Sequence, residues 1–329
     1  MMRLPRFRYV GPRTLEEVAR ALADFGPNAA LVAGGTDLLP NMKRRQETPA
    51  TVIGLRGVAS LRERSGAPGR GVTLGAMTRL VDLERDPALA AGYPALATAA
   101  SVVATPPIRN AATIGGNLCL DTRCTYYDQG AAWRESIGHC MKKDGETCWV
   151  APGSPRCWAV CSSDTAPMLC AVGAEATLVS TAGERRVPVA SLFADDGRRH
   201  LTLAPGEFLA AVHLPAVGAA DRAGYLKVRR RASFDFPVLG LATNVRLGAG
   251  GVVESARIFL GGVGSRPNEA SEAARFLVGR TLRDEEVVRE AARLVGRIAK
   301  PMQNTDLDRS WRKQVLEEYA ARALRALAA

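Results

Sequence analysis

Residues 30–40 read ALVAGGTDLLP, and residues 112–118 read ATIGGNL. In the first stretch a short apolar strand runs into Gly34-Gly35-Thr36-Asp37. Neither glycine has a Cβ, so backbone N–H groups at this turn can approach a phosphate closely. In the second stretch Thr113-Ile114-Gly115-Gly116-Asn117 repeats the device, a tight glycine turn flanked by a hydroxyl and an amide. One Gly-Gly turn is an ordinary connection and calls for no ligand. Two of them in one α/β region point to a dinucleotide diphosphate held between two subdomains. Neither has the G-x-G-x-x-G spacing of the Rossmann fingerprint.

Outward from these turns the chain alternates strand and helix. Residues 14–25 place Leu15, Val18, Ala19, Leu22 and Phe25 on one helical stripe behind a Thr14 cap. Residues 51–55 and 71–76 read as strands, and 79–91 and 94–103 as helices. Residues 166–174 read as a buried helix and 176–180 as a strand. Residues 185–193 read as strand, turn and the start of a helix, and 208–214 as a strand stopped by Pro215. The last third changes character. AGYLKVRRR, GLATNVRL and VVESARIFLGGV are strand-like runs, followed by helices at about 269–278, 283–298 and 309–327. That order predicts a separate α+β domain from about residue 221.

Residues 120–163 have neither period, and so long a loop inside a compact domain needs something to order it. Cys119, Cys124, Cys140, Cys148, Cys157 and Cys161 lie in or beside it, with Cys170 shortly after. An odd count without a secretory leader argues against a disulfide framework and for metal or cluster ligation. Four thiolates serve a zinc ion or an iron–sulfur cubane, and the spacing is neither the short ferredoxin run nor paired zinc knuckles. On spacing alone both stay open.

The chain has 329 residues, 47% hydrophobic and 23% charged, which excludes a disordered or fibrous protein. No run of about 18 apolar residues occurs, so no membrane span is expected. The N-terminus passes from basic residues into an amphipathic pattern without an apolar leader, which predicts a cytoplasmic chain. Lys and Arg number 44 against 33 acids, a formal charge of +11. The basic residues are dispersed apart from 43–45 and 227–231, and aromatics are only 5%. An anionic cofactor or acidic partner therefore fits better than nucleic acid. His139, His200 and His213 form no metal-ligand spacing, and no Ser/His/Asp set, carboxylate pair or P-loop supports hydrolysis or phosphoryl transfer.

In this order the motifs resemble the FAD-binding (medium) subunits of the molybdenum hydroxylases, the xanthine dehydrogenase and carbon monoxide dehydrogenase class. YLKVRRRASFDFP, GGVGSRP and the terminal helix around Trp311-Arg312-Lys313 extend the resemblance over nearly the whole chain. It implies an α+β protein with an α/β N-terminal part, in the two-subdomain vanillyl-alcohol-oxidase (PCMH) type of FAD-binding fold. Residues 1–58 and 59–220 would be the two subdomains. Residues 221–329 would form a C-terminal α+β domain with a three-stranded antiparallel sheet. By the same resemblance Leu31, Val32, Ala33, Gly34, Gly35, Thr36, Asp37 and Leu38 line the FAD diphosphate. Val103, Thr113, Gly115, Gly116 and Asn117 face it from the other side, and Asp164 and Lys227 reach the flavin or its chain. As local features, Asp164 is a helix N-cap and Lys227 a solvated strand charge.

The cysteine segment distinguishes members of the class. Its run NLCLDTRCTYYDQ and the cysteines after it resemble the β subunit of 4-hydroxybenzoyl-CoA reductase, which carries a [4Fe–4S] cluster besides FAD. This implies Cys124, Cys140, Cys148 and Cys157 as ligands, with Cys161 the substitute for Cys157. Cys119 is expected near the flavin and Cys170 in the core. The implied protein is an electron-transfer subunit for reductive dehydroxylation of an aromatic acyl-CoA. Its partners would be a large molybdopterin subunit, a small [2Fe–2S] subunit and a ferredoxin-like carrier, in a dimer of heterotrimers. The alternative is a hydroxylase flavoprotein whose electrons flow outward from an aromatic, aldehyde or purine substrate.

Overall fold

The computed structural model describes residues 3–328. Three sheets follow one another along the chain. The first is parallel, β1 (Arg8–Val10), β2 (Ala29–Val32) and β3 (Thr51–Gly54), in the order β1-β3-β2. Between β1 and β2 runs α1 (Leu15–Phe25), where the Thr14 hydroxyl accepts the Glu17 N–H at 3.2 Å and the Glu17 carboxylate reaches back to the Arg13 N–H at 2.6 Å. Its Val18 and Ala19 are buried in the core. The glycine turn leads from β2 into α2 (Leu38–Lys43).

The second sheet is antiparallel and five-stranded: β4 (Arg64–Ala67), β5 (Gly71–Gly75), β6 (Glu175–Ser180), β7 (Gly183–Pro188) and β8 (Phe208–Leu214), ordered β4-β5-β8-β6-β7. The helices between β5 and β6 build the wall that matters for the site. They are α3 (Leu80–Arg85), α4 (Pro87–Gly92), α5 (Pro94–Ser101), α6 (Pro106–Arg109), α7 (Ile114–Leu118), α8 (Ala131–Ser136) and α9 (Thr165–Val172). The helix expected over 79–91 is two. Asp86 ends α3 and its carboxylate caps α4 at the N–H groups of Ala88 and Leu89, with Pro87 at the first position.

The C-terminal sheet holds β9 (Asp221–Val228), β10 (Leu239–Leu247), β11 (Val253–Gly261) and β12 (Asn268–Glu269), in the order β12-β11-β10-β9. It has four strands where three are expected, because two residues after the glycine turn at 261–262 pair back onto β11. β9 stops at Val228, so the arginines that follow lie in a loop. The period of two sorts the two faces. Leu239, Leu241, Val245, Ile258 and Leu260 pack under α10 (Ser271–Leu277), α11 (Glu285–Ile298) and α12 (Arg309–Arg325). Ala242 and Phe259 point the other way, into the core shared with α9 and the second sheet. Residues 120–163 contain a single helix, α8, pinned at the base by a bridge between Arg123 and Val160.

Candidate functional site

A cavity of about 470 Å³ opens between the first two sheets and the start of the third, within the range of cofactor sites. The turn after β2 forms one wall. A Cβ on Gly34 would sit 1.9 Å from the Ala111 carbonyl oxygen, so only glycine lets this turn lean on the second one. Gly35 has φ +74°, the left-handed region, and turns the chain into α2. The N–H groups of Gly35 and Thr36 have no protein acceptor among the described residues, which leaves them free for an anion. Leu31, Ala33, Asp37 and Leu38 complete this wall, and Val32 is not part of it.

The opposite wall is Val103 with Thr113, Gly115, Gly116 and Asn117 at the start of α7. Its chemistry differs from the expectation. The Gly115 N–H donates to the Ala76 carbonyl at 2.9 Å and the Gly116 N–H to the Thr113 hydroxyl at 3.1 Å. The second turn therefore offers close approach rather than free donors. Asn117 is held by α9, its Oδ1 accepting from the Ser163 hydroxyl at 2.8 Å and the Thr165 hydroxyl at 2.6 Å.

Asp164 and Lys227 meet at the cavity wall, 2.8 Å apart and both nearly inaccessible. Tyr225 donates to the other Asp164 oxygen at 2.8 Å, and Lys227 also donates to the Val102 carbonyl at 2.9 Å. Burial raises the Asp164 pKa and lowers that of Lys227, with the ion pair opposing both shifts. Both local readings are thereby replaced: the Asp164 side chain caps no helix, and Lys227 is not solvated. Cys119 lines the same cavity, its thiol pushed up to about 12 by burial, while Cys170 is in the core.

Asp37 is not a free carboxylate beside the turn. It is paired with Arg123 and accepts the Asp121 N–H at 3.2 Å. Arg123, Glu47, Asp121 and His200 all line the cavity, and no sequence motif marks them as such. Ser162 Oγ, Asp121 Oδ2 and His200 Nε2 are buried there without a partner. Free N–H groups, unsatisfied polar atoms and apolar walls suit a ligand with an anionic, hydrogen-bonding part and a flat apolar part. FAD fits that description.

Next to this cavity lies a small second one, lined by Cys124, Cys140, Cys148 and Cys157. The Ala159 N–H donates to the Cys157 sulfur at 3.4 Å, and the Ala151 N–H to the Cys148 carbonyl at 2.9 Å. An N–H donor on sulfur, as Ala159 is on Cys157, stabilises a thiolate ligand. Cys161 is absent from this cavity; its backbone N–H pairs with Gly264 and its thiol is pushed up to about 11 by burial near Asp164. Among the described residues, no three His, Cys, Asp or Glu side chains close around a single ion. In a cubane each thiolate holds a different iron, so its ligands stand farther apart than those of one zinc ion.

Residues 5–217 match the family described as FAD binding domain in molybdopterin dehydrogenase, and residues 224–327 match the CO dehydrogenase flavoprotein C-terminal domain. The chain is 31% identical over 270 residues to the FAD-binding subunit PaoB of Escherichia coli aldehyde oxidoreductase, covering 79% of this chain and 82% of that one. It is 28% identical to the medium chain of carbon monoxide dehydrogenase from Hydrogenophaga pseudoflava, covering 98% and 97%. A solved structure of that organism's carbon monoxide dehydrogenase, lacking the Mo-pyranopterin moiety, superimposes with a TM-score of 0.80 at 29% identity, over 99% and 98% of the two chains. No helix among the described residues is long and apolar enough to cross a membrane. The chain belongs to the FAD-binding medium subunits of the molybdenum hydroxylase family, an oxidoreductase family.

Proposed function

We propose that this chain relays electrons between FAD in the large cavity and a [4Fe–4S] cluster on Cys124, Cys140, Cys148 and Cys157, in an enzyme of the 4-hydroxybenzoyl-CoA reductase type. The observation that carries the reading is the convergence of these four cysteines, spread over an irregular segment, on one small cavity beside the flavin cavity. The family match supports the flavin; the cluster rests on the cysteines and on the Ala159 N–H that donates to Cys157. Bound FAD supplies the exchange between one-electron and two-electron transfer. For the protein's part, Gly35 and Thr36 offer free N–H groups to the diphosphate. Arg123 neutralises Asp37 beside it, which removes a repulsive charge. Leu31, Ala33, Gly34, Leu38 and Val103 with Thr113, Gly115, Gly116 and Asn117 shape the groove. Asp164 and Lys227 present one buried ion pair to the flavin end.

In this reading substrate chemistry belongs to a large molybdopterin subunit. A small [2Fe–2S] subunit lies between, a ferredoxin-like donor feeds the cysteine cavity, and two such heterotrimers associate. The formal charge of +11 suits an acidic carrier. The outward direction has its own support, since the relatives act as a carbon monoxide dehydrogenase and an aldehyde oxidoreductase.

The deciding measurement is iron, acid-labile sulfide and FAD per chain on anaerobically purified protein. Four irons, four sulfides and one FAD are expected, with Cys140→Ser losing iron and keeping FAD. One zinc and no sulfide would reduce the segment to a structural staple. Midpoint potentials then give direction, a cluster potential below that of the flavin marking inward flow.

A further inference from the structure

The partition between the two cavities is built from charges. Glu47, Asp121 and Arg123 line the flavin side, and Tyr127 and Lys142 the cysteine side. Lys142 is almost wholly buried, its side chain only 6% exposed. All three of its protons are used: on Asp121 Oδ1 at 2.7 Å, the Thr122 hydroxyl at 2.8 Å and the Gly197 carbonyl at 2.8 Å. Its ammonium stands 4.8 Å over the Tyr127 ring, and the Tyr127 hydroxyl lies 3.5 Å from Glu47. Burying an ammonium is costly, and a neutral side chain could tie this loop to a carbonyl and a hydroxyl more cheaply. What a neutral side chain lacks is the charge. An electron arriving in the cysteine cavity adds one negative charge next to this cation, in a setting where screening by water is weak.

We propose that Lys142 is a positioning residue for electron transfer: its fixed ammonium raises the reduction potential of the group held by the four cysteines, and Asp121 beside it lowers that potential. The inference rests on the cluster reading of the preceding subsection. Stabilising the reduced form with a cation raises the potential, and exposing an unpaired carboxylate lowers it. Lys142 and Asp121 thus form a buried couple with its positive end toward the cysteines and its negative end toward the flavin.

The test is an anaerobic redox titration of the purified complex. The reduced cluster is followed by electron paramagnetic resonance, and the flavin by absorbance in the same sample. At the wild-type midpoint, Lys142→Met is expected to lower the reduced-to-oxidised ratio of the cluster about tenfold, ~59 mV for one electron. Lys142→Arg keeps the wild-type value, and Asp121→Asn shifts the cluster in the opposite direction to Lys142→Met. A merely structural pin predicts no shift, or shifts of the same sign, and either result overturns the inference. If Lys142→Met loses the cluster, Asp121→Asn decides alone, and an unmoved or lowered midpoint is the overturning result. Wild-type protein with neither iron nor a reduced-cluster signal overturns the cluster reading itself, a failure distinguishable from unmoved midpoints in cluster-loaded variants.

Discussion

Gly34 and Gly116 carry different burdens although both are turn glycines. A Cβ at Gly34 collides with backbone, the Ala111 carbonyl, and neither side can yield without separating the two turns. A Cβ at Gly116 meets only the Thr113 hydroxyl at 3.1 Å and Ala33 at 4.0 Å, so the fold tolerates it while the cavity loses a methyl's depth. Gly116→Ala is therefore expected to keep its melting temperature within a few degrees and to bind FAD at least tenfold more weakly. Gly34→Ala is expected to lose both. Flavin content and thermal unfolding of the flavin-free protein separate the two cases, and equal loss of stability would refute the distinction. The glycines were legible in the sequence because a steric requirement is written in one residue. Arg123 and Lys142 were not. Their roles depend on Asp37 and Asp121, brought to them through an irregular segment without a period to read.

At the scale of elements, β10 and β11 were legible for the same reason that they are stable. Their alternation must serve two cores, and the pattern shows in the residue types. β1 and β4 escaped because they are strands of three and four residues, mostly exposed, held by pairing rather than burial. α12 shows how an element can be fastened by one side chain. Arg312, 1% exposed, donates to the carbonyls of Val238 at 2.9 Å and Met302 at 3.0 Å, and to that of Gly262. Desolvation lowers its pKa to about 10, still protonated at neutral pH. Arg312→Leu leaves three carbonyls without their donor and is expected to cost about 3 kcal/mol or more. Its neighbour Trp311, 39% exposed, is the control; Trp311→Ala is expected to stay within about 1 kcal/mol. Urea unfolding of the two variants checks the contrast. Equal effects would mean that α12 is held by its apolar face alone.

For the whole molecule, order is unevenly distributed. The two large cores each draw on several helices and a sheet. The segment at 120–163 has a core of Cys124, Tyr127, Cys140, Cys157 and Ala159, and three of these five are proposed ligands. Its further ties are largely polar, among them the bridge from Arg123 to Val160, Lys142 on Asp121, Arg156 on Asp195 at 3.0 Å and Arg134 on the Arg45 carbonyl at 2.9 Å. Cluster binding and local folding should then be one event, as in other small metal-ordered units. The flavin cavity borrows only the two ends of this segment, Leu120, Asp121 and Arg123 at one and Ser162 at the other, and is otherwise lined by residues outside it. Removing iron anaerobically with a chelator is thus expected to expose the peptide bonds after Lys142 and Lys143 to trypsin at least tenfold faster. Most FAD should stay bound, and the rest of the chain should remain intact by mass spectrometry. Cleavage at an unchanged rate would mean that the protein orders this loop unaided. FAD lost in step with iron would mean that the partition is shared so tightly that neither site forms without the other.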